Sequence, residues 1–397
     1  MVKIAILGYG TVGSGVYEIL RKSASAISKR AGDEIDIKYV LDIRDFDTHP
    51  EKHIFTKDYN DILNDDEVSV VVEVMGGLNP AYEFTKSALL KGKSVVTSNK
   101  ELVATHGTEL IKIAKENDTN YFFEASVGGG IPIIRPLNQC LTANEITEIN
   151  GILNGTTNYI LTKMFKEGAS FADALKTAQE LGYAERNPEA DVEGHDACRK
   201  IAILASLATG KFVDYNDIPT EGITKISKDD VNFADKIGYV IKLIGSAKVS
   251  ADGKVSARVA PRLVSKESQL SSVNDVFNAI LLHGDSLGDV MFYGRGAGKL
   301  PTASAVVADV IDSVKHIGVN KWVIWSEAEG ELMNSPEESS YCYFVRTKDE
   351  SLKDSLKDAK VIGTTEDGET VITTGLMTEK DFKDKAFGKC EFIRILQ

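Results

Sequence analysis

The chain has few cysteines, no long apolar run and no basic stripe. Its four cysteines are scattered, at Cys140, Cys198, Cys342 and Cys390, and form no Cys-x-x-Cys pair, which argues against a zinc site and against a disulfide framework. No segment reaches the ~18 consecutive apolar residues of a membrane-spanning helix. A strand pattern occupies 2–7, which leaves no room for a signal peptide. These absences predict a soluble, reduced, cytoplasmic protein.

Positive charge is also scarce. The 397 residues include 46 basic and 59 acidic ones, a formal net charge of −13. Nucleic acid as a partner is excluded, because neutralising phosphates requires a basic surface. The charge is uneven, since residues 326–397 hold 16 acidic and 10 basic side chains. That shift predicts a separate C-terminal module in a chain long enough for two or three domains.

Short apolar runs alternate with helical patterns over the first third of the chain. The predicted strands cover 3–7, 35–43, 68–75, 94–97 and 121–124, and helices such as 80–90 and 107–116 separate them. This alternation is typical of a parallel, doubly wound sheet. The sequence therefore predicts an α/β fold of the Rossmann type for this part.

The pattern changes after Pro132. Helices are predicted at 156–166, 171–181 and 195–209, an exposed strand at 249–263, more sheet at 279–292, and a helix at 301–317 that returns to the first domain. The acidic tail reads as a βαβαβ arrangement, with elements at 341–346, 352–359, 369–374, 379–386 and 391–396. The predicted domains are a dinucleotide-binding domain at 1–133, an α+β domain at 134–300, the returning helix at 301–320 and a small domain at 321–397.

A glycine motif follows the first predicted strand. Gly8, Gly10 and Gly13 form Gly-x-Gly-x-x-Gly at the start of a helix. The first two allow a tight turn and close approach to a pyrophosphate, and the third allows helix and strand to pack. The helix N-terminus then offers backbone N–H groups to phosphate. The motif predicts dinucleotide binding; the alternative is a tight strand–helix turn without a ligand.

The end of the second strand leaves the choice of cofactor open. An acid there would bind the ribose hydroxyls of NAD and repel the extra phosphate of NADP. Asp42 favours NAD, whereas Arg44, two residues on, favours NADP.

Two groups of polar residues carry the catalytic hypothesis. Lys100 follows the fourth strand, where ligands of open α/β sheets bind, although it could equally be a solvated surface lysine. Asp196 and Lys200 lie four residues apart at the head of an apolar helix, after a loop that holds Glu185 and Asp191. The alternative is a surface salt bridge. As a site, Lys200 or a water held by the lysine would protonate an alkoxide during carbonyl reduction. Asp196 would position the lysine, and Glu185 and Asp191 would hold an ammonium group.

Two rival functions remain open from these residues. An aldehyde dehydrogenase would need a thiolate beside a base, a setting that neither Cys140 nor Cys198 offers in the sequence. A nucleotide-sensing regulator would bind the cofactor without turnover, and it gives no reason for the pairing of Asp196 with Lys200.

Across about 2–320 the sequence resembles the homoserine dehydrogenase family. The resemblance rests on ordered motifs: Gly-Tyr-Gly-Thr-Val-Gly at 8–13, Thr-Ser-Asn-Lys at 97–100, Glu-Ala-Ser-Val-Gly-Gly-Gly-Ile-Pro at 124–132, Gly-Ile-Leu-Asn-Gly-Thr-Thr-Asn at 151–158, the stretch 182–200, and Gly-Arg-Gly-Ala-Gly at 294–298. It implies NAD(P)-dependent interconversion of L-homoserine and L-aspartate 4-semialdehyde, in threonine and methionine synthesis.

The resemblance also implies site residues. Lys200 would be the catalytic proton donor, with Lys100 in the same site. The substrate-binding residues would be Glu185, Asp191, Asp196, Thr156 and Tyr183. The cofactor would contact Gly8, Tyr9, Gly10, Thr11, Val12, Gly13, Thr97, Lys100, Gly182 and Gly298. A monovalent cation, Na⁺ by analogy, would be held at Glu124, Val127, Gly129 and Ile131. The middle domain would form the interface of a homodimer or a higher homo-oligomer.

The tail resembles an ACT-type regulatory domain in a shortened form. It departs from that pattern after the strand at 341–345, where Thr347–Leu352 replaces the family's Pro-Gly turn.

Overall fold

The computed structural model describes residues 1–321 and 323–396. Trp322 and Gln397, both in the predicted tail domain, lie outside the described residues. The chain divides into two compact units. The first unit comprises Met1–Asn144, Ser206–Asp214 and Gly294–Ala328, and the second comprises Glu145–Ala205, Tyr215–Tyr293 and Glu329–Gln397.

The first unit is built on a parallel six-stranded sheet. Its strands are β1 (Val2–Leu7), β2 (Ile35–Leu41), β3 (Phe55–Thr56), β4 (Val68–Glu73), β5 (Ser94–Thr97) and β6 (Tyr121–Phe122). They lie in the order β3-β2-β1-β4-β5-β6, which is the strand order of dinucleotide-binding domains. The predicted doubly wound fold is confirmed. Strand β3 was not predicted, because two residues carry no readable pattern.

Helices cover this sheet. They are α1 (Thr11–Lys22), α2 (Ala24–Ala31), α3 (Asn60–Leu63), α4 (Ala81–Leu90), α5 (Lys100–Glu116) and, from later in the chain, α11 (Lys299–Lys315). Apolar residues of β1, β4 and α11 share one buried cluster. Helix α11 crosses α1 closely at Gly15, where a Cβ atom would lie 2.9 Å from the Cβ of Ala303. Glycine at this position therefore permits the two helices to pack.

The second unit contains a longer, mixed sheet. Its first strands are β7 (Ile146–Ile152), β8 (Tyr239–Val249), β9 (Val255–Ser265), β10 (Phe277–Gly284) and β11 (Gly288–Arg295). The helices of this region are α6 (Gly155–Glu167), α7 (Phe171–Glu180), α8 (Glu189–Val192), α9 (His195–Thr209) and α10 (Lys228–Lys236).

The strand predicted at 249–263 is present as β9, which begins at Val255, but its predicted exposure is wrong. Strands β8 and β9 pair antiparallel over their whole length, from Tyr239 opposite Ser265 to Val249 opposite Val255. Every residue from 257 to 264 is buried. Polar residues of the alternating pattern, Arg258 and Arg262, lie inside the protein rather than in solvent.

The tail adds four strands to this sheet. Its elements are β12 (Ser340–Tyr341), β13 (Tyr343–Thr347), α12 (Leu352–Ser355), β14 (Lys360–Thr364), β15 (Thr370–Thr373), β16 (Met377–Thr378), α13 (Glu379–Ala386) and β17 (Cys390–Ile395). The sheet order is β11-β10-β7-β8-β9-β17-β13-β15-β14, and β17 runs parallel to β9.

The tail is a split βαββαβ arrangement rather than the predicted βαβαβ. The predicted helix at 352–359 ends at Ser355, because Leu356 is already extended, and the next residues lead into β14. Within the described residues, no helix is long and apolar enough to cross a membrane.

Candidate active site

The glycine loop of the first unit has the geometry of a phosphate cradle. Gly8 has a φ of +97°, in the region that favours glycine. A Cβ atom on Gly13 would lie 1.9 Å from the carbonyl oxygen of Gly8, whereas one on Gly10 would meet no protein atom within 4 Å. Helix α1 begins at Thr11 without a side-chain cap. The loop thus leaves open space in front of uncapped backbone N–H groups, which fits a dinucleotide pyrophosphate.

Asp42 lies directly after β2 and joins the glycine loop. Its Oδ2 accepts a hydrogen bond from the Tyr9 N–H group at 2.8 Å. Arg44 donates to both carboxylate oxygens of Asp42 and to the Tyr9 carbonyl, each at 2.9 Å. The Arg44 hydrogen bonds hold the pKa of Asp42 well below its usual range. Arg44 remains 57% exposed, whereas Asp42 is 8% exposed, so the base is the more accessible of the two groups that follow β2.

The carboxyl ends of β4 and β5 form a hydrogen-bonded edge. The Thr97 hydroxyl donates to Glu73 Oε2 at 2.6 Å, and both residues are fully buried. Burial raises the pKa of Glu73. Asn99 caps α5 by accepting from the Leu102 N–H group at 3.1 Å, which places Lys100 as the first helical residue, half-buried. Glu73 was not predicted as a site residue, although an acid that ends a buried strand was a usable signal.

In the second unit, Lys200 and Asp196 form a buried ion pair on α9. Lys200 Nζ lies 2.6 Å from Asp196 Oδ2 and donates to the Leu153 carbonyl oxygen at 2.8 Å. The two side chains are 10% and 6% exposed. A charged pair with this burial is not a solvated surface bridge, and the lysine is held at two points.

Asn154 connects this pair to a second carboxylate. Its side-chain amide donates to Asp196 Oδ2 at 3.0 Å and to Asp191 Oδ1 at 2.7 Å. Its side-chain oxygen accepts from the Thr157 N–H group and so caps α6. Asn154 lies within the motif at 151–158, and no role was predicted for it.

The other predicted substrate residues lie around the start of α6. The Thr156 hydroxyl donates to the Tyr183 carbonyl oxygen at 2.7 Å, and the Tyr183 ring packs edge-on against Tyr159. Gly182 and Glu185 are exposed in the loop before α8. Thr156 is buried while Tyr183 is 44% exposed, so this part of the site meets solvent.

The carboxylate of Glu124 is occupied by backbone groups. It accepts from the N–H groups of Ile133, Ile134 and Arg135 at 2.6, 2.8 and 2.7 Å. The backbone N–H of Glu124 donates to the buried Asp309, 2.8 Å away. The side chain therefore serves as an anchor for 133–135, and its role as a cation ligand stays a prediction.

The three carbonyl groups predicted for the cation do fit. Val127, Gly129 and Ile131 are buried, and no donor in the described residues hydrogen-bonds to their carbonyl oxygens. Gly129 packs tightly, since a Cβ atom there would lie 2.4 Å from the Gly296 carbonyl oxygen. The described residues contain no group of three or more His, Cys, Asp or Glu side chains suited to a metal. Gly298, the remaining predicted cofactor contact, precedes α11 with a φ of +121°.

The two thiols considered as nucleophiles lie in different settings. Cys198 is buried on α9, and its Sγ donates to the Tyr215 carbonyl oxygen at 3.3 Å. Cys140 is exposed at the end of a short π-helix.

The first unit has a glycine loop shaped like a dinucleotide cradle, and the second unit has a buried lysine–carboxylate cluster. Each is a feature found in nicotinamide-dependent oxidoreductases. Comparison with known proteins specifies the class further. Residues 8–124 match the family model for the NAD-binding domain of homoserine dehydrogenase, and residues 132–311 match the model for homoserine dehydrogenase.

Individual relatives agree with the family models. The homoserine dehydrogenase of Bacillus subtilis is 39% identical over 407 aligned positions, covering 96% of this chain and 93% of the relative. That of Synechocystis is 48% identical over 322 positions, covering 79% and 73%. The crystal structure of a homoserine dehydrogenase from Thiobacillus denitrificans superimposes with a TM-score of 0.91 at 35% identity and covers 100% of this chain and 98% of its own.

A further solved structure carries a ligand. A hyperthermophilic archaeal homoserine dehydrogenase in complex with NADPH matches with a TM-score of 0.65 at 31% identity, over 79% of this chain and 97% of its own. The chain belongs to the homoserine dehydrogenase family.

Proposed function

We propose that the chain catalyses the reversible, NAD(P)-dependent interconversion of L-homoserine and L-aspartate 4-semialdehyde. The observation that carries the proposed roles is the buried pair of Lys200 and Asp196, joined to Asp191 through Asn154. Bound nicotinamide supplies the hydride acceptor or donor. The residues of the chain bind the amino acid and move its proton.

Lys200 is the proposed proton donor. In the reductive direction its ammonium group gives a proton to the alkoxide that forms at the former carbonyl, and in the oxidative direction the neutral amine takes that proton back. Asp196, 2.6 Å from Nζ, holds the lysine in position. The Leu153 carbonyl fixes the direction of the same amino group. This arrangement restricts the lysine to one position for proton transfer.

The remaining roles stay proposals at the predicted residues. Glu185 and Asp191 would hold the ammonium group of the substrate, with Thr156 and Tyr183 beside them. Lys100 would contact cofactor and substrate. A monovalent cation would be held by the carbonyl oxygens of Val127, Gly129 and Ile131. No described residue donates a hydrogen bond to these oxygens, which supports this proposal.

We also propose that the chain forms a homodimer or a higher homo-oligomer. Strand β11 ends the mixed sheet, and Leu287 and Tyr293 beside and within it are 47% and 53% exposed. An open sheet edge with apolar side chains is a common site of association. The ACT-like nature of the tail and a cytoplasmic location stay predictions as well.

The test is an assay at the nicotinamide absorbance with L-homoserine and with NAD or NADP. Wild type should turn over, and Lys200→Ala should lower kcat by about 10²–10⁴-fold, the usual contribution of a general acid. Cofactor Kd, measured by fluorescence titration, should change little. Lys176→Ala, at an exposed position on α7, is the matched control.

Two outcomes would contradict these assignments. Cofactor binding without turnover of L-homoserine by wild type would favour the nucleotide-sensing alternative. Retention of most of the turnover by Lys200→Ala would leave the reaction in place and remove the lysine from the role of proton donor.

A further inference from the structure

A cavity of about 870 Å³ in the second unit is lined by charged side chains from distant parts of the chain, and three of the four that form ion pairs with one another are buried. Arg258 comes from β9 and Arg394 from β17, and their side chains are 5% and 2% exposed. Glu379, the first residue of α13, is 1% exposed. The fourth member, Glu221, lies on the loop 219–226, which we name the Glu221 loop.

Glu221 is shared between the two arginines. Its Oε1 lies 3.0 Å from Arg258 Nη1, and its Oε2 lies 2.8 Å from Arg394 Nη1. Glu379 binds both guanidinium groups through their other terminal nitrogens. Its Oε1 lies 3.1 Å from Arg258 Nη2 and 2.7 Å from Arg394 Nη2. Planar guanidinium groups with several donors fix the carboxylates they bind in position and direction. Glu221 is therefore held at both oxygens although its side chain is 40% exposed.

The backbone of the Glu221 loop follows β9. The Val259 N–H group donates to the Pro219 carbonyl oxygen at 3.0 Å, and the Glu221 N–H group donates to the Val259 carbonyl oxygen at 2.8 Å. The loop thus continues the edge of β9 that β17 occupies further along, at Arg262. The carboxylate contacts and the backbone contacts restrain the same residue.

The next residues of the loop contact the turn before α9. Ile223 donates its N–H group to the Val192 carbonyl oxygen at 2.8 Å, and the Thr224 hydroxyl donates to Glu193 at 3.0 Å. At Gly222 a Cβ atom would lie 2.3 Å from the Val192 carbonyl oxygen. The turn and the loop are therefore in direct contact, with no space between them for a side chain at Gly222.

We propose that Glu221 is a positioning residue. Acting through this turn, it orients Asp191 and Asp196, the protein carboxylates predicted to bind the substrate. Asp191 directly precedes Val192, and Asp196 and Lys200 follow within two turns of helix. A shift of the loop would move the segment that links Asp191 to Asp196, so two strands of the second unit, one of them in the tail, determine how the substrate is held. The inference rests on the function proposed above for Asp191 and Asp196.

The test compares Glu221→Gln and Glu221→Asp with Glu391→Gln in the full-length chain. Glu391 lines the same cavity from β17 and is exposed, so its replacement removes an equal charge outside the ion-pair network. Glu221→Gln should raise the KM for L-homoserine about five- to tenfold, the effect of losing charge-assisted hydrogen bonds that align a binding group. The KM for the cofactor should stay near wild type, whereas the midpoint of thermal unfolding should fall, because Glu379 alone then balances the two buried guanidinium groups. Glu221→Asp, which keeps the carboxylate, should lie between.

The readout separates positioning from stability. An unchanged KM for L-homoserine in Glu221→Gln, or a KM that rises equally for homoserine and cofactor, would overturn the proposal. If Glu221→Gln fails to fold, the KM of Glu221→Asp for L-homoserine is compared with that of Glu391→Gln, and an unchanged KM would overturn the proposal. Absence of homoserine turnover in wild type would instead contradict the proposed function itself, which the same assay reveals first.

Discussion

At the scale of single residues, helix geometry explains what the sequence could and could not predict. The pairing of Asp196 with Lys200 follows from a separation of four residues on one helix, and the structure shows the contact at 2.6 Å. Asn154 receives its role from partners 37 and 42 residues away. An asparagine before a helix predicts a cap and nothing more, because only tertiary packing decides what its amide reaches.

Arg44 is the residue on which the cofactor preference should depend. Its guanidinium is bound to Asp42 and the Tyr9 carbonyl, beside the glycine loop, and it packs over the Phe46 ring at 5.3 Å. A fixed, exposed guanidinium suits the 2′-phosphate of NADP, whereas a released Asp42 suits the ribose hydroxyls of NAD. Arg44→Ala should therefore raise the KM for NADP by about tenfold or more, the cost of a lost charge-assisted contact, and leave or lower the KM for NAD.

Steady-state kinetics with each cofactor at saturating L-homoserine measure this effect. Arg30→Ala, at an exposed position near the end of α2, is the control for a lost surface charge. Equal increases in the two KM values would show that Arg44 supports the loop and does not discriminate between cofactors.

At the scale of secondary structure, the sequence pattern predicted strands correctly where the apolar residues are buried and the polar residues are exposed. The first unit has strands buried on both faces, so its apolar runs gave the sheet directly. Strand β9 misled because its polar positions, Arg258 and Arg262, are buried by ion pairs and by stacking on Tyr341. Strand β14 was missed since its five residues, Lys360–Thr364, include a glycine and little apolar surface.

Asn154 caps α6 and also contacts Asp191 and Asp196, and substitutions can separate these two roles. Serine retains the cap but has a single, shorter donor and cannot replace both amide contacts to the aspartates, while alanine loses the cap and both contacts. Asn154→Ser should keep the stability near wild type and raise the KM for L-homoserine about tenfold. Asn154→Ala should show the same KM effect and lose about 1 kcal/mol of unfolding free energy in addition.

Urea unfolding and homoserine kinetics on the two variants provide the comparison. Ser170→Ala, at the cap of α7, removes an equivalent cap without touching the aspartates. An Asn154→Ser variant with a wild-type KM would show that the amide contacts do not orient the substrate carboxylates.

At the scale of the whole molecule, the composition determines the net charge but does not show which charged side chains are buried. Among the described residues, the buried charged side chains comprise six basic and six acidic ones, so the net charge of −13 lies on the exposed and half-buried surface. The tail shows the same division, with an acidic exterior and with Arg394 and Glu379 paired inside. Its charge suggested a separate module, yet its last strand continues the sheet of the second unit.

Lys242 is a buried base without an acidic partner among the described residues. It lies on β8, and its Nζ donates to the Val273 carbonyl oxygen at 2.5 Å and to Asn158 Oδ1 at 3.1 Å. Burial lowers the pKa of Lys242 to about 8, and the charge of Lys166 adds to this effect while that of Asp275 opposes it. In the unfolded chain the lysine keeps a pKa near 10.5. Between these two values the native state therefore binds fewer protons than the unfolded state.

The sign of the pH effect follows from that difference. Below about pH 8 the buried charge costs stability, and the cost disappears as pH rises towards 10.5. Wild type should therefore gain on the order of 1–2 kcal/mol between pH 7 and 9.5 relative to Lys242→Met, which has no proton to lose. Urea unfolding of both chains across this range measures the gain. Lys248→Met, on the exposed end of the same strand, should follow wild type, and parallel curves for wild type and Lys242→Met would contradict the assignment.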